Sequence, residues 1–299
     1  MKKSNKQKAD ARAGYLFMIP WMLGTTAFVL IPLVVSLYLS FTDYAFTSNI
    51  NWIGIENYFR LFFMDQSFTK SLEVTFKYVI GAVPGTLIFA LLVAVLLNRG
   101  MRGLGVFRAI YYLPSLIGGS VAISMLWRQV FGAYGIVNQL LGKFGIEMPS
   151  WIGDPRYSLF TIIILHIWQF GAPMIIFLAG LKNIPSEYYE AASIDGAGKL
   201  RQFFAITLPL LSPTILFNFI QQLINGFKAF TPAYIVSGGT GGPARSLLFY
   251  TLSLYKNAFS NFQMGYASAQ AWILMIIVAV FTLLSFTVSR RAVYYESKR

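Results

Sequence analysis

The chain has 299 residues, of which 56% are hydrophobic and only 12% charged, with a mean hydropathy of +0.60 and a formal net charge of +13. A soluble domain needs more polar surface than this to cover its core, so the composition points to a membrane-embedded bundle. The absence of cysteine excludes disulfides and thiolate metal sites, and a single histidine, His166, excludes a multi-histidine metal centre.

A bilayer core needs about 20 apolar residues per helix, and six segments meet that length: 14–41, 72–97, 107–131, 158–181, 213–236 and 265–289. The expected fold is therefore an all-α integral membrane protein with six transmembrane helices. The N-terminal apolar run is nearly twice the length of a signal-peptide core, so an uncleaved first helix is favoured. Prolines interrupt several segments, at Pro20, Pro32, Pro84, Pro114, Pro173 and Pro232. Membrane helices tolerate them where neighbours satisfy the freed carbonyls. Gly81 and Gly85, spaced by three residues, allow close helix packing, with Pro84 between them as a source of a bend.

Basic residues divide unevenly between the two sides. One side collects Lys2, Lys3, Lys6, Lys8 and Arg12, then Arg99, Arg102 and Arg108, then Lys182, Lys199 and Arg201, and finally Arg290, Arg291, Lys298 and Arg299. The other collects Arg60, Lys70, Lys143, Arg156, Arg245 and Lys256. The positive-inside rule then puts both termini in the cytoplasm. It also accounts for the net charge without nucleic acid, since no basic stripe interleaved with aromatics occurs in any soluble stretch. The expected organisation is a cytoplasmic tail at 1–13, a six-helix membrane domain at 14–289 containing a distinctive loop at 182–209, and a second tail at 290–299.

That loop is unlike the others. Ile184-Pro185-Ser186-Glu187 reads as a helix start, with Ser186 able to cap and Glu187 suited to the positive first turn. A helix over 187–194 meets Asp195-Gly196, a break signal. A second helix over 197–207 is expected to end near Pro209. The product is a helix–turn–helix carrying Glu187, Glu190 and Asp195, with the small residues Ala191, Ala192 and Gly196 leaving room for another protein surface. The rival reading is an amphipathic interfacial helix without a partner.

Glu190-Ala191-Ala192, Gly196, Ile206 and Leu208-Pro209 fill, at every spacing, the cytoplasmic signature of ABC importer permeases, and the chain is similar to that family. Further stretches resemble its carbohydrate-uptake branch: residues 13–20, 37–43, Gly54-Ile-Glu-Asn-Tyr58, 107–114, 135–141 and 151–155. The likeness is to the first permease subunit of maltose-, glycerol-phosphate- and lactose-type systems. Two departures stand out. Thr231 replaces the usual Asp at the end of the fifth segment, before a longer glycine loop at 238–243, and the periplasmic insertion of the enterobacterial maltose subunit is missing.

The resemblance implies an ABC type I importer-like permease. In it the 182–209 loop would form a coupling helix seated in an ATPase cleft, through Glu187, Glu190, Ala191, Ala192, Asp195 and Gly196. It further implies a second permease subunit as heterodimer partner, two ATPase subunits or domains, and an extracytoplasmic solute-binding protein. No cofactor is expected on this chain, with ATP and Mg on the ATPase. The residues agree that ATP is not hydrolysed here, because the one P-loop-like stretch has Ser193 in place of the first glycine and Leu200 after Lys199.

Polar residues within spans line a water-filled path or act as hydrogen-bonding glue between helices, and both readings stay open here. Asn218, Gln221, Asn225 and Lys228 share one face of the fifth segment, with Gln222 and Gly226 beside it; His166, Trp168 and Gln169 cluster in the fourth. A sugar needs hydroxyl partners and aromatic faces, and His166, Trp168, Gln169, Gln222, Asn225, Gly226 and Lys228 offer them. Lys228 could alternatively snorkel to the outer interface. The resulting expectation is the permease of an ATP-driven sugar or oligosaccharide importer. Its rivals are an ABC permease for a peptide or phosphonate and an ion-coupled carrier, although the acids that ion coupling needs are missing from the span interiors.

Overall fold

The computed structural model describes residues 5–46, 50–98 and 103–292. Lys2, Lys3, Arg99, Arg102, Lys298 and Arg299 lie outside the described residues. Among the described residues the regular secondary structure is all helical, with one isolated bridge between Thr42 and Trp52. In chain order the helices are α1 (Asn5–Thr25), α2 (Ile31–Ser40), α3 (Glu56–Phe63), α4 (Gln66–Leu97), α5 (Leu104–Ile117), α6 (Val121–Val130), α7 (Ile136–Gly142) and α8 (Ser158–Trp168). There follow α9 (Gly171–Lys182), α10 (Ser186–Ile194), α11 (Lys199–Gln202), α12 (Leu208–Leu210), α13 (Ser212–Phe227), α14 (Thr231–Ser237), α15 (Tyr250–Tyr255) and α16 (Met264–Ala292).

Three stretches are long and apolar enough to cross a membrane unbroken: Gly14–Ser40, Gln66–Leu97 and Met264–Ser289. Three further stretches are bent pairs: α5 with α6 at 96° and α8 with α9 at 43°, which break the spans expected over 107–131 and 158–181, and Lys199–Leu210 with Ser212–Ser237 at 66°, whose bend lies just before the span expected over 213–236. Counted as one interrupted span each, they bring the total to six. The uninterrupted helix expected over 107–131 is therefore corrected. The first helix stops at Ile117, beside Gly118, where a Cβ would lie 2.3 Å from the Gln169 side chain, and Ser120 restarts the helix by accepting a hydrogen bond from the Ile123 amide at 3.3 Å. The stretch 213–236 likewise stops at Phe227 and resumes at Thr231, where Pro232 sits in the first turn.

Prolines act differently where the helix can widen. Thr26–Leu30 and Phe203–Thr207 are π-helical turns, each ending two residues before a proline, Pro32 and Pro209. A wider turn relieves the clash between a proline ring and the preceding carbonyls. The helix expected to end near Pro209 thus runs on to Leu210.

The chain divides into two compact units, residues up to Met64 with Tyr255–Ile273, and Asp65–Leu254 with the remainder of α16. In the first, the Gly54-Ile-Glu-Asn-Tyr58 stretch has a definite task. Asn57 is buried and donates from Nδ2 to the carbonyls of Ser40 and Thr42, at 2.9 and 2.8 Å. It satisfies orphan carbonyls at the end of α2. The Tyr58 hydroxyl lies 2.7 Å from Ser40 Oγ, and Arg60 stacks over the Tyr266 ring at 4.6 Å.

The second unit is built around α4, which buries Tyr78, Val79, Ala82, Val83, Ala90, Ala94 and Leu97 at helical spacing. α4 packs on α8, α9 and α13. Gly81 and Gly85 are the close-packing face: a Cβ at either would come within 2.9 or 2.6 Å of Ile163 or Ile167 on α8. α4 passes Pro84 as one continuous helix. Phe76, Phe227 and Phe281 bring α4, α13 and α16 together, with ring centroids 5.3–5.7 Å apart.

Candidate functional site

Two places in the second unit carry the residues singled out above. The first is a cavity of about 320 Å³, at the small end of ligand sites, between α4, α5, α8, α9, α13 and the start of α14. His166, Gln169, Gln222, Asn225 and Lys228 line it. Trp168 and Gly226 do not. Trp168 packs against Trp127, with centroids 6.1 Å apart, and Gly226 is buried where a Cβ would touch Val79 at 3.2 Å. Asn218, at the foot of the expected stripe, is buried and donates to the Pro173 carbonyl at 3.4 Å, a contact between helices. Gln221 is exposed. The face of α13 turned to the cavity is thus Gln222 and Asn225, followed by Lys228 and Ala229.

A hydrogen-bonded chain of side chains forms one wall. Tyr78 Oη lies 3.0 Å from His166 Nδ1, and His166 Nε2 lies 3.1 Å from Gln222 Oε1. In the tautomer that carries its proton on Nε2, the ring donates to the Gln222 carbonyl oxygen. The neutral ring then accepts at Nδ1 from the Tyr78 hydroxyl. The chain links α4, α8 and α13 and fixes the rotamers of all three residues. The amide nitrogen of Gln222 makes no other hydrogen bond among the described residues.

The second wall is the break between α8 and α9, which leaves backbone groups without helical partners. Ser115 of α5 meets two of them. Its hydroxyl donates to the Gln169 carbonyl and its oxygen accepts from the Ala172 amide, both at 2.9 Å. Gly171 permits this approach: a Cβ there would lie 2.2 Å from the Tyr111 carbonyl. The Gln169 side chain turns back to the Leu165 carbonyl at 3.1 Å. Tyr78, Ser115, Phe230 and Thr231 also line the cavity and were not among the expected residues. Tyr78 and Ser115 were detectable as hydroxyls within apolar segments, but nothing in the sequence pairs them with residues 54 to 88 positions away.

The second place is the hairpin over 186–210. α10 starts at Ser186, with Pro185 as its N-cap in an extended conformation (φ −60°, ψ 137°). The expected cap from Ser186 is corrected: Pro185 already supplies the extended cap backbone, so Ser186 falls one residue later, inside the helix. Glu187 does sit in the first turn. The end of α10 is a Schellman motif. Gly196 at φ +75° sends its amide to the Ser193 carbonyl at 3.1 Å, and the Ala197 amide reaches back to Ala192 at 2.9 Å. Tyr189 Oη contacts Thr207 Oγ1 at 2.8 Å, and Gln202 donates to Ser193 Oγ and the Ala197 carbonyl, each at 2.9 Å. These bonds clamp the two helices together. Glu187, Glu190, Ala191, Asp195 and Gly196 are exposed and Ala192 half-buried, with Ile194, Leu200 and Phe204 exposed alongside.

Bent spans around a polar cavity, joined to a clamped hairpin, make the fold of an ABC importer permease. The chain superposes on a chain of the bacterial alginate ABC transporter solved in complex with an alginate pentasaccharide-bound periplasmic protein, with a TM-score of 0.83 over 96% of each chain at 21% identity. Residues 87–296 match the model of the binding-protein-dependent transport system inner membrane component, and the chain belongs to that family. It is 50% identical over all 299 residues to the probable ABC transporter permease YesP of Bacillus subtilis, covering 97% of that protein. It is 35% identical to the lactose transport system permease LacF of Rhizobium radiobacter, over 93% of this chain and 94% of LacF. It is 33% identical to the multiple sugar-binding transport system permease MsmF of Streptococcus mutans, over 93% and 95%. The protein is a multi-pass inner-membrane transport component.

Proposed function

We propose that this chain is one permease subunit of an ATP-driven importer for a sugar or oligosaccharide, with both termini in the cytoplasm and the permease domain over 14–289. The observation that carries the proposal is the cavity wall formed by Tyr78, His166 and Gln222, which leaves donors of Gln222, Asn225 and Lys228 available to hydroxyl groups. The names of LacF and MsmF support a saccharide. The solute comes from an extracytoplasmic binding protein, and a second permease subunit completes the path. Glu187, Glu190, Ala191, Ala192, Asp195 and Gly196 dock into an ATPase subunit, two of which bind ATP and Mg. Closure of the ATPase pair moves the hairpin, and the rigid clamp passes that movement to α13 through α12.

The test is saccharide uptake by the assembled importer carrying Asn225→Leu. Uptake is expected to be lost while the variant still co-purifies with its partners. Unchanged uptake with unchanged apparent affinity would make Asn225 a helix contact and refute the assignment of the cavity as the path.

A further inference from the structure

The cavity carries one permanent charge and nothing among its lining residues to balance it. Lys228 stands on its rim, and the other lining residues include no Asp or Glu. Lys228 is exposed, and it forms no ion pair among the described residues; Lys70–Glu73, Lys77–Glu73 and Arg156–Asp154 pair elsewhere. It caps the C-terminal end of α13, about 24 Å along the helix from Ser212 at 1.5 Å per residue. The helix dipole there favours a cation, but it satisfies a partial charge only. An ammonium group on a cavity rim, with no carboxylate among the lining residues, is free to pair with an anion that enters the cavity. Around it, Asn225 and Gln222 add neutral donors, so the cavity is rich in hydrogen-bond donors and holds no carboxylate that would repel an anion.

We infer that the solute carried through this cavity is an acidic saccharide, a uronate-containing sugar whose carboxylate pairs with Lys228 while its hydroxyls meet Gln222 and Asn225. This rests on the reading of the cavity as a saccharide path and narrows it. A charge-assisted hydrogen bond between ammonium and carboxylate is about twice as strong as a neutral one. Neutral sugars would leave Lys228 unmatched, so the residue sets specificity as well as affinity.

The experiment uses the assembled importer with its binding protein in proteoliposomes. Disaccharides of galacturonate, glucuronate and mannuronate are each offered beside their methyl esters, together with maltose, lactose and trehalose. At least one uronate should be taken up about tenfold or more faster than its ester, an uncharged molecule of nearly the same shape. Lys228→Met should bring uptake of the acid down to the level of the ester, and Lys228→Arg should restore part of it. Because the binding protein is unchanged between variants, the difference belongs to this chain. Transport of neutral sugars alone, at the same rate in Lys228→Met, would overturn the inference and leave the sugar-importer reading standing. An equal loss for acid and ester would also overturn it, because that is the mark of a helix cap and not of charge recognition. Failure to carry any saccharide, acidic or neutral, would overturn the importer reading together with the inference.

Discussion

The hairpin at 186–210 and the cavity under α13 are built on opposite plans. The hairpin takes its residues from one short stretch, holds itself together by its own side chains and exposes its acids to solvent. The cavity draws on six helices, and its central wall joins residues 88 and 56 positions apart. A self-clamped element can move as a lever without losing its shape. A wall assembled across helices changes shape whenever those helices shift.

If the two regions differ in this way, substitutions in them should separate fold from coupling. The largest effect is expected at Gly171. A side chain there meets the Tyr111 carbonyl and the Tyr112 Cα at 2.2 and 2.7 Å, backbone that cannot swing aside. Gly171→Val should prevent α9 from seating on α5, and overpacking of this kind costs about 1–3 kcal/mol or more. Fluorescence-detected size exclusion in detergent should show loss of the monodisperse peak. A normal peak would mean that the α8–α9 break is more pliable than its geometry implies.

His166→Leu comes next. It strips partners from the Tyr78 hydroxyl, which is buried, and from Gln222, and each unsatisfied group costs roughly 1–3 kcal/mol. The thermal midpoint in detergent should fall and transport should drop with it. His166→Gln, which keeps a donor and an acceptor, should recover part of both. A midpoint unmoved by His166→Leu would show that the wall is not a structural unit.

Gly196→Val should do the reverse and spare the fold. Open space surrounds Gly196, so the substitution meets no clash; the cost is a β-branched residue at φ +75°, of the order of 1–2 kcal/mol confined to one turn. Membrane insertion and thermal midpoint should stay near wild type, while pull-down of the ATPase weakens. Glu190→Lys, which leaves the turn intact, should weaken the same association through charge alone. Wild-type association in both variants would remove the hairpin from the coupling path.

The smallest effect is expected at Asp154, in the loop before α8. Arg156 beside it, at 2.7 Å, holds its carboxyl below the usual carboxylate range. A lowered folded-state value means that the pair contributes above the unfolded pKa and is lost as the pH falls through the folded one. Between pH 5 and 8 the contribution is therefore constant, and an exposed pair contributes little in any case. Asp154→Asn should leave the midpoint flat across that range. A clear pH-dependent difference there would assign this loop a role shared with neither region.

The hairpin was legible in the sequence because its information is local: Glu190-Ala191-Ala192, the break at Asp195-Gly196 and Pro209 lie within twenty residues. Only its edges differed, where Pro185 took the cap and a π turn carried the helix past Pro209. The six apolar segments were legible for the same reason, as length and composition. The breaks within them were not, because Gln169 and Phe170 look like any other span residues. What permits a break there is a hydroxyl from a different helix, at Ser115. The stripe on α13 was half legible. Gln222, Asn225 and Lys228 were expected together and all three line the cavity, but helical spacing also grouped Asn218 with them, and the packing of α9 turns that residue to Pro173.

Ser115 has a consequence for anyone wishing to redesign what this protein carries. It lines the cavity, so a search for positions to vary would select it early. Yet its one proton is committed to the Gln169 carbonyl and one of its lone pairs to the Ala172 amide, which leaves a single acceptor site to offer a visitor. Replacing it to gain a new contact would release two main-chain groups in the middle of a helix break. Threonine, which keeps the hydroxyl, is the conservative choice at that position, and diversity is better introduced at Asn225 and Thr231, whose side chains hold no main-chain hydrogen bond among the described residues and stand outside the Tyr78–His166–Gln222 wall.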